Sequence, residues 1–156
     1  MFRPDAAEHG RRLVALCAEY GFTGVFPLEE SLPGGLSPQD LATHIYRANV
    51  AHIDGCDAVL ANLDFFRGPE PDSGTCFEVG YAVARGKPVI GYVPEHGSLA
   101  QRIRQRHPDS VGEGLVDVAG WKLEEFGLPL NLMLGVPCRI VVGDARAALA
   151  MLRSTL

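Results

Sequence analysis

Apolar positions recur along this chain in two rhythms, and the switches between them mark out its elements. Leu13, Leu16 and Cys17 share one side of a segment that begins near Asp5, which predicts a helix over 5–19, stopped by Gly21. The run FTGVFP at 22–27 reads as a strand. Residues 28–36, with Pro33, Gly34 and Gly35, form a connection that is either a plain surface loop or a lid over a site. Ser37, Pro38 and Asp40 then give a cap, a proline at the first helical position and an acid in the first turn. The helix that follows turns Leu41, Ile45, Ala48 and Ile53 inward.

The centre of the chain changes rhythm. Residues 57–63 are a short apolar run bounded by turn signals, as expected of a strand covered on both faces. A loop rich in Gly, Pro and Asp follows at 64–74, then a helix at 75–85, a stop at Gly86 with Lys87 beside it, and a strand at 88–93. Residues 94–114 are polar, and Arg102, Arg104, Arg106 and His107 lie on a short helix there, read as a solvated charged face or an anion site. Residues 115–126 carry no clear period. A short helix begun by Pro129 is expected at 128–134, a last strand at 138–142, and a final helix from 145 to 156 capped by Asp144.

Strands alternating with helices predict an α/β fold: a flavodoxin- or Rossmann-like doubly wound parallel sheet in one domain spanning 1–156. No strand precedes the first helix. In a 2-1-3-4-5 order the first strand is central, so the usual first strand is lacking here, and the expectation is that the reading frame begins inside a longer product.

Composition narrows the class. Apolar residues make up 47% and charged residues 21%, ordinary for a globular chain. A net charge of −5 gives no electrostatic case for a nucleic-acid partner. No run is long enough to span a membrane, and a cytoplasmic protein is expected. Cys17, Cys56, Cys76 and Cys138 lack metal-ligand spacing and read as buried free thiols.

The candidate chemistry lies in the central stretch. Ligands of open parallel sheets bind beyond the carboxyl ends of the strands, where the 64–74 loop falls. Asp72 lies in that loop and Glu78 follows six residues later, both facing one crevice. Each has an ordinary alternative. Glu78 closes a capping box with Thr75, and Asp72 closes a turn through Pro71, Ser73 and Gly74. Gly74 and Gly80 allow close approach of a ligand, or simply a tight turn into the helix.

The run NLDFFRGPEPDSGTCFEVGYAVARGKPV at 62–89, with EFGLPLNLML at 125–134, resembles the nucleoside 2-deoxyribosyltransferase family, including its Asp-x(5)-Glu-x-Gly signature at Asp72, Glu78 and Gly80. The likeness runs from about residue 37 to 134. It implies that Glu78 is the nucleophile that attacks C1′ of a deoxynucleoside, and that Asp72 meets the sugar hydroxyls or the base. It implies that Asn131 reaches the sugar end of a neighbouring subunit's site, with Met133 as an apolar wall, so that the enzyme is a homo-oligomer with shared sites. By the same likeness Asn49 faces the base, or is an ordinary exposed residue. Relatives begin with a strand and an Ala-Gly-Pro-type loop ahead of the segment matching 2–6.

A carboxylate suits the nucleophile's role because the transition state is oxocarbenium-like and the ester it forms can be attacked by a second base, with net retention. Asp72 would carry the proton to and from the base. Phe66 stacks on the base or packs beneath the loop, and Arg67 clamps Asp72 or Glu70. No cofactor or metal is required, and the substrates are deoxynucleosides and free bases. Rival readings are a deoxynucleoside 5′-monophosphate N-glycosidase, disfavoured because such hydrolases carry Ser where Asp72 stands, a non-catalytic nucleoside-binding module, and a phospho-acceptor domain, disfavoured because this chain has no clustered acids at successive strand ends.

Overall fold

The computed structural model describes residues 5–27 and 34–155. The chain divides into two compact units, Met1–Asp57 and Ala58–Leu156. Most of the 28–36 connection lies outside the described residues, as do the segment ahead of Asp5 and the last residue of the expected final helix.

The first unit holds α1 (Ala6–Glu19) and α2 (Pro38–Gly55). α1 closes through Gly21 at φ +85°, with the Phe22 and Tyr20 N–H groups donating to the Cys17 carbonyl. The strand expected at 22–27 is not one. Residues 22–26 carry no strand pairing and lie against α1 instead. A Cβ on Gly10 would meet the Phe26 ring at 2.3 Å, and one on Gly24 would meet Val14 and Cys17 at 3.0 Å. Phe26 therefore buries its ring on a bare patch of helix, which satisfies its apolar surface without a sheet. α2 starts as its sequence requires: Ser37 Oγ accepts from the Asp40 N–H at 3.2 Å and Pro38 opens the first turn.

The second unit holds a three-stranded parallel sheet flanked by helices. β1 (Val59–Asn62), β2 (Val89–Val93) and β3 (Arg139–Val142) lie in the order β1-β2-β3. Val59 is level with Val89, and Ile90 with Arg139. β2 is central and buried at four of its five positions, which is why its sequence is an unbroken apolar run. Gly91 lies where the side chains of Leu63 and Ile140 close over the strand, at 2.6 and 2.8 Å from where a Cβ would sit. α6 (Ala145–Arg153) packs across all three strands through Ala148, Leu149 and Leu152, and α3 (Ser73–Ala84) packs on β1 and β2 through Val79 and Ala82. Gly86, at φ +70°, ends α3 as expected, and the Lys87 N–H donates back to the Ala82 carbonyl.

Between β2 and β3 run α4 (Leu99–Arg106), a 3-10 turn at Pro108–Ser110, and α5 (Leu132–Gly135). The unassigned stretch belongs to a small meander of two successive turns, with antiparallel bridges between Val111 and Asp117 and between Val116 and Lys122. Asp117 Oδ1 holds its turn by accepting from Ala119 and Trp121. α5 is shorter than expected, because Asn131 rather than Pro129 starts it. The four cysteines are free, but only Cys138 is buried, and the other three are partly exposed. Among the described residues no helix is long and apolar enough to cross a membrane.

Candidate active site

The β1–α3 loop begins by folding on itself. Asn62 Oδ1 accepts from the Asp64 N–H at 3.1 Å, Asp64 Oδ1 accepts from the Phe65 N–H at 2.7 Å, and the Phe66 N–H donates to the Glu70 carbonyl at 2.8 Å. Closing 66–70 so tightly puts Arg67 at φ +59°, a left-handed conformation uncommon outside glycine. Phe65 turns inward beneath Arg102, while Phe66 stays 38% exposed at the loop's outer edge.

The loop ends on Asp72, which is the cap of α3. Its Oδ2 accepts from the Thr75 N–H at 3.0 Å and the Thr75 hydroxyl at 3.3 Å. This corrects the expected capping box. Thr75 is the third helical residue, not the cap, and Glu78 lies on the second turn. A carboxylate placed three residues ahead of an unpaired N–H outcompetes a hydroxyl for the cap, because the bond is charge-assisted and lies at the positive end of the helix. Gly74 and Glu78 stand four residues apart on one face, so the glycine leaves the approach to Glu78 free of a side chain. A Cβ on Gly74 would also lie 3.1 Å from Asp72 Oδ2. Glu78 is half-buried, as is Asp72.

Negative charge gathers around the start of α3. Desolvation and the neighbouring Glu124 carboxylate push the Glu70 pKa above its usual range. Burial, then Glu70 and Asp72, push the Cys76 thiol up as well, so it is held as the neutral thiol. Glu124 was not legible as a site residue, because it lies in the stretch without period. It is the anchor of α5: its Oε1 accepts from Asn131 Nδ2 at 2.7 Å and its Oε2 from the Leu132 N–H at 2.9 Å. Asn131 Oδ1 caps the same helix by accepting from the Met133 N–H at 2.9 Å.

In the second unit Asp72, Gly74 and Glu78 thus share the start of α3, Glu70 neighbours Cys76 and Glu124, and Glu124 holds Asn131. Met133, offered as core or as a wall, is 72% exposed beside Asn131. Asn49 lies half-buried on α2 in the first unit.

The arginines of α4 are not one solvated face. Arg102 is wholly buried, its Nε donating to Glu95 Oε1 at 3.0 Å, Nη1 to the Pro129 carbonyl at 2.7 Å and Nη2 to Asp64 Oδ1 at 3.3 Å. Arg106 also pairs with Asp64 and lies 3.5 Å from Glu95. Among the described residues no three His, Cys, Asp or Glu side chains group as a metal site.

Comparison with known proteins gives four findings. The sequence profile described as nucleoside 2-deoxyribosyltransferase matches residues 1–133. An uncharacterised protein of Schizosaccharomyces pombe is 31% identical over 122 residues, a stretch that covers 74% of this chain and 56% of that protein, so the chain spans little more than half the length of this curated relative. Among solved structures, a 2-deoxyribosyltransferase from Leishmania mexicana superposes with a TM-score of 0.74 at 28% identity, covering 97% of this chain and 90% of that one. A conserved protein from Enterococcus faecalis V583 shares the fold, with a TM-score of 0.64 at 20% identity over 99% of this chain and 93% of that one.

Proposed function

Since the chain belongs to the nucleoside 2-deoxyribosyltransferase family, we propose that it transfers 2-deoxyribose from one nucleobase to another through an ester on Glu78. The observation that carries the reading is the junction of the β1–α3 loop with α3, where Asp72 caps the helix, Gly74 clears its first turn and Glu78 follows on the second. In the first displacement a Glu78 carboxylate oxygen bonds to C1′ as the C1′–N bond breaks, and the departing base takes a proton from Asp72. In the second, a nitrogen of the incoming base bonds to C1′, the C1′–O bond to Glu78 breaks, and that base returns its proton to Asp72. Two inversions at C1′ give net retention.

The remaining roles follow from the same reading. Phe66, exposed at the outer edge of the loop, offers a ring to stack on a base. Asn131 binds the sugar end. Met133, Val136 and Phe126 are 66–72% exposed around Asn131, an apolar surface suited to cover by a second subunit, which supports shared sites in a homo-oligomer. Asp72 also favours an unphosphorylated nucleoside over a 5′-monophosphate, because the anion it becomes on giving up its proton would repel the phosphate.

The test is base exchange: purified protein with a 2′-deoxynucleoside and a different free base, products separated, Glu78→Ala in parallel. New deoxynucleoside that is absent with the variant is the expected result. Free base without new nucleoside would instead mean hydrolysis, and stabilisation by nucleoside without turnover would mean a binding module.

A further inference from the structure

We propose that Arg102 is a positioning residue: its guanidinium fixes the loop that ends in Asp72 to the segment that ends in Asn131, and so sets the distance between the two ends of the site. The inference rests on the function proposed above.

Arg102 spends its donors on three separate stretches of chain. Nη2 takes Asp64 at the carboxyl end of β1, Nε takes Glu95 just beyond β2, and Nη1 takes the Pro129 carbonyl two residues before Asn131. Its planar carbon lies 4.4 Å from the centre of the Phe65 ring, so the same group also seats the residue beside Asp64. The two pieces it joins are those carrying the proposed chemistry. Asp64 and Phe65 begin the loop that delivers Asp72, and Pro129 leads through buried Leu130 into the Asn131 cap.

Energy alone does not account for such a group. A buried ion pair is often no more stabilising than a well-packed apolar side chain of the same volume, because desolvation offsets the Coulomb gain. What an apolar residue lacks is direction. A guanidinium offers five N–H groups in a fixed plane, whereas an ammonium is a point donor on a flexible stem. Only the fork serves all three acceptors at once. Neighbouring bonds brace α4 against the same segment: the Ser98 hydroxyl donates to Glu125 Oε2 at 3.0 Å, and the Leu99 N–H to the Leu128 carbonyl at 2.7 Å. With α4 so fixed, Arg102 works from a rigid base.

The experiment compares wild type, Arg102→Lys and Arg102→Met by amide hydrogen exchange and by steady-state base exchange. Arg102→Lys keeps charge and most of the volume, and guards against failure of the Met variant to fold. In Arg102→Lys we expect peptides covering 64–72 and 124–132 to lose protection together, by about tenfold or more, while those covering β3 and α6 keep theirs. We expect kcat to fall by about 10- to 100-fold with KM within a few-fold, as a displacement of about 1 Å at a reacting pair allows. Equal loss of protection in every peptide, with kcat per folded molecule unchanged, would reduce Arg102 to a structural residue and overturn the proposal. Wild-type protection and kcat in Arg102→Lys would overturn it too. If wild type itself exchanges no base, the functional reading falls instead, and the amide-exchange arm still decides whether Arg102 couples the two segments.

Discussion

α3 and α5 both start on a side chain that the proposed reaction also needs, yet the two starts are built differently. Asp72 caps α3 through a bond that spans three residues and depends on nothing distant. Asn131 caps α5 while its own amide is held by Glu124, seven residues upstream, which also takes the Leu132 N–H. The first cap is local and self-sufficient. The second is one corner of a tertiary arrangement that includes the Pro129 carbonyl on Arg102. A residue with a local structural duty can be changed chemically while the fold is kept, whereas one in a network cannot.

The sharpest way to break that contrast is Asp72→Asn. Asparagine keeps the capping oxygen and gives up only the charge, so we expect thermal stability within about 1 kcal/mol of wild type, with base exchange reduced by about 100-fold or more because no proton can be relayed. Asp72→Ala should lose the same activity and, in addition, about 1 kcal/mol of stability by denaturant unfolding. A large stability loss in Asp72→Asn would show that this cap is not local.

Asn131 should respond the other way. Asn131→Asp keeps an acceptor for the Met133 N–H but removes the donor to Glu124 and sets two carboxylates against each other. We expect about 1–3 kcal/mol of destabilisation at neutral pH, shrinking as pH falls into the carboxylate range and one of the pair takes a proton. Urea melts across pH measure both.

A smaller effect is expected at Glu70. Its folded pKa is raised by desolvation and by Glu124, so the folded state holds its proton more tightly than the unfolded state. Stability from this group is therefore present below the ordinary carboxylate value and is lost as pH rises through the raised one. Glu70→Gln should melt slightly higher than wild type at neutral pH, by no more than a few degrees, and the difference should vanish once pH drops below the usual glutamate range.

Smallest of all is Gly80→Ala. A Cβ there meets no atom within 4 Å, and the residue lies inside α3, so stability should rise by about 0.5–1 kcal/mol. A drop would mean that something outside the described chain packs on that face.

What was readable in the sequence follows the same division between local and distant. β1, β2 and β3 stood out as short apolar runs bounded by turn signals, and Ser37 and Asp144 announced α2 and α6 because a cap acts within a few residues. FTGVFP misled because its composition suits any half-buried extended segment, and only the bare patch at Gly10 decides that it lies on a helix. Thr75 misled because two capping residues compete three positions apart. Arg102 gave no local sign, since its acceptors lie 38, 7 and 27 residues away. Of the candidate site, Asp72, Gly74 and Glu78 were legible from one contiguous motif. Glu124 was not, because its partners are donors that appear only when α5 is folded.

On the proposed mechanism Glu78 carries the sugar as an ester. The most direct test is rapid acid quench of the protein with a 2′-deoxynucleoside in the absence of acceptor base, followed by mass measurement of the intact chain and of its peptides. One deoxyribosyl group is expected, on the peptide that contains Glu78, and it disappears when a free base is added before the quench. Release of free base with no adduct on that peptide would contradict the mechanism.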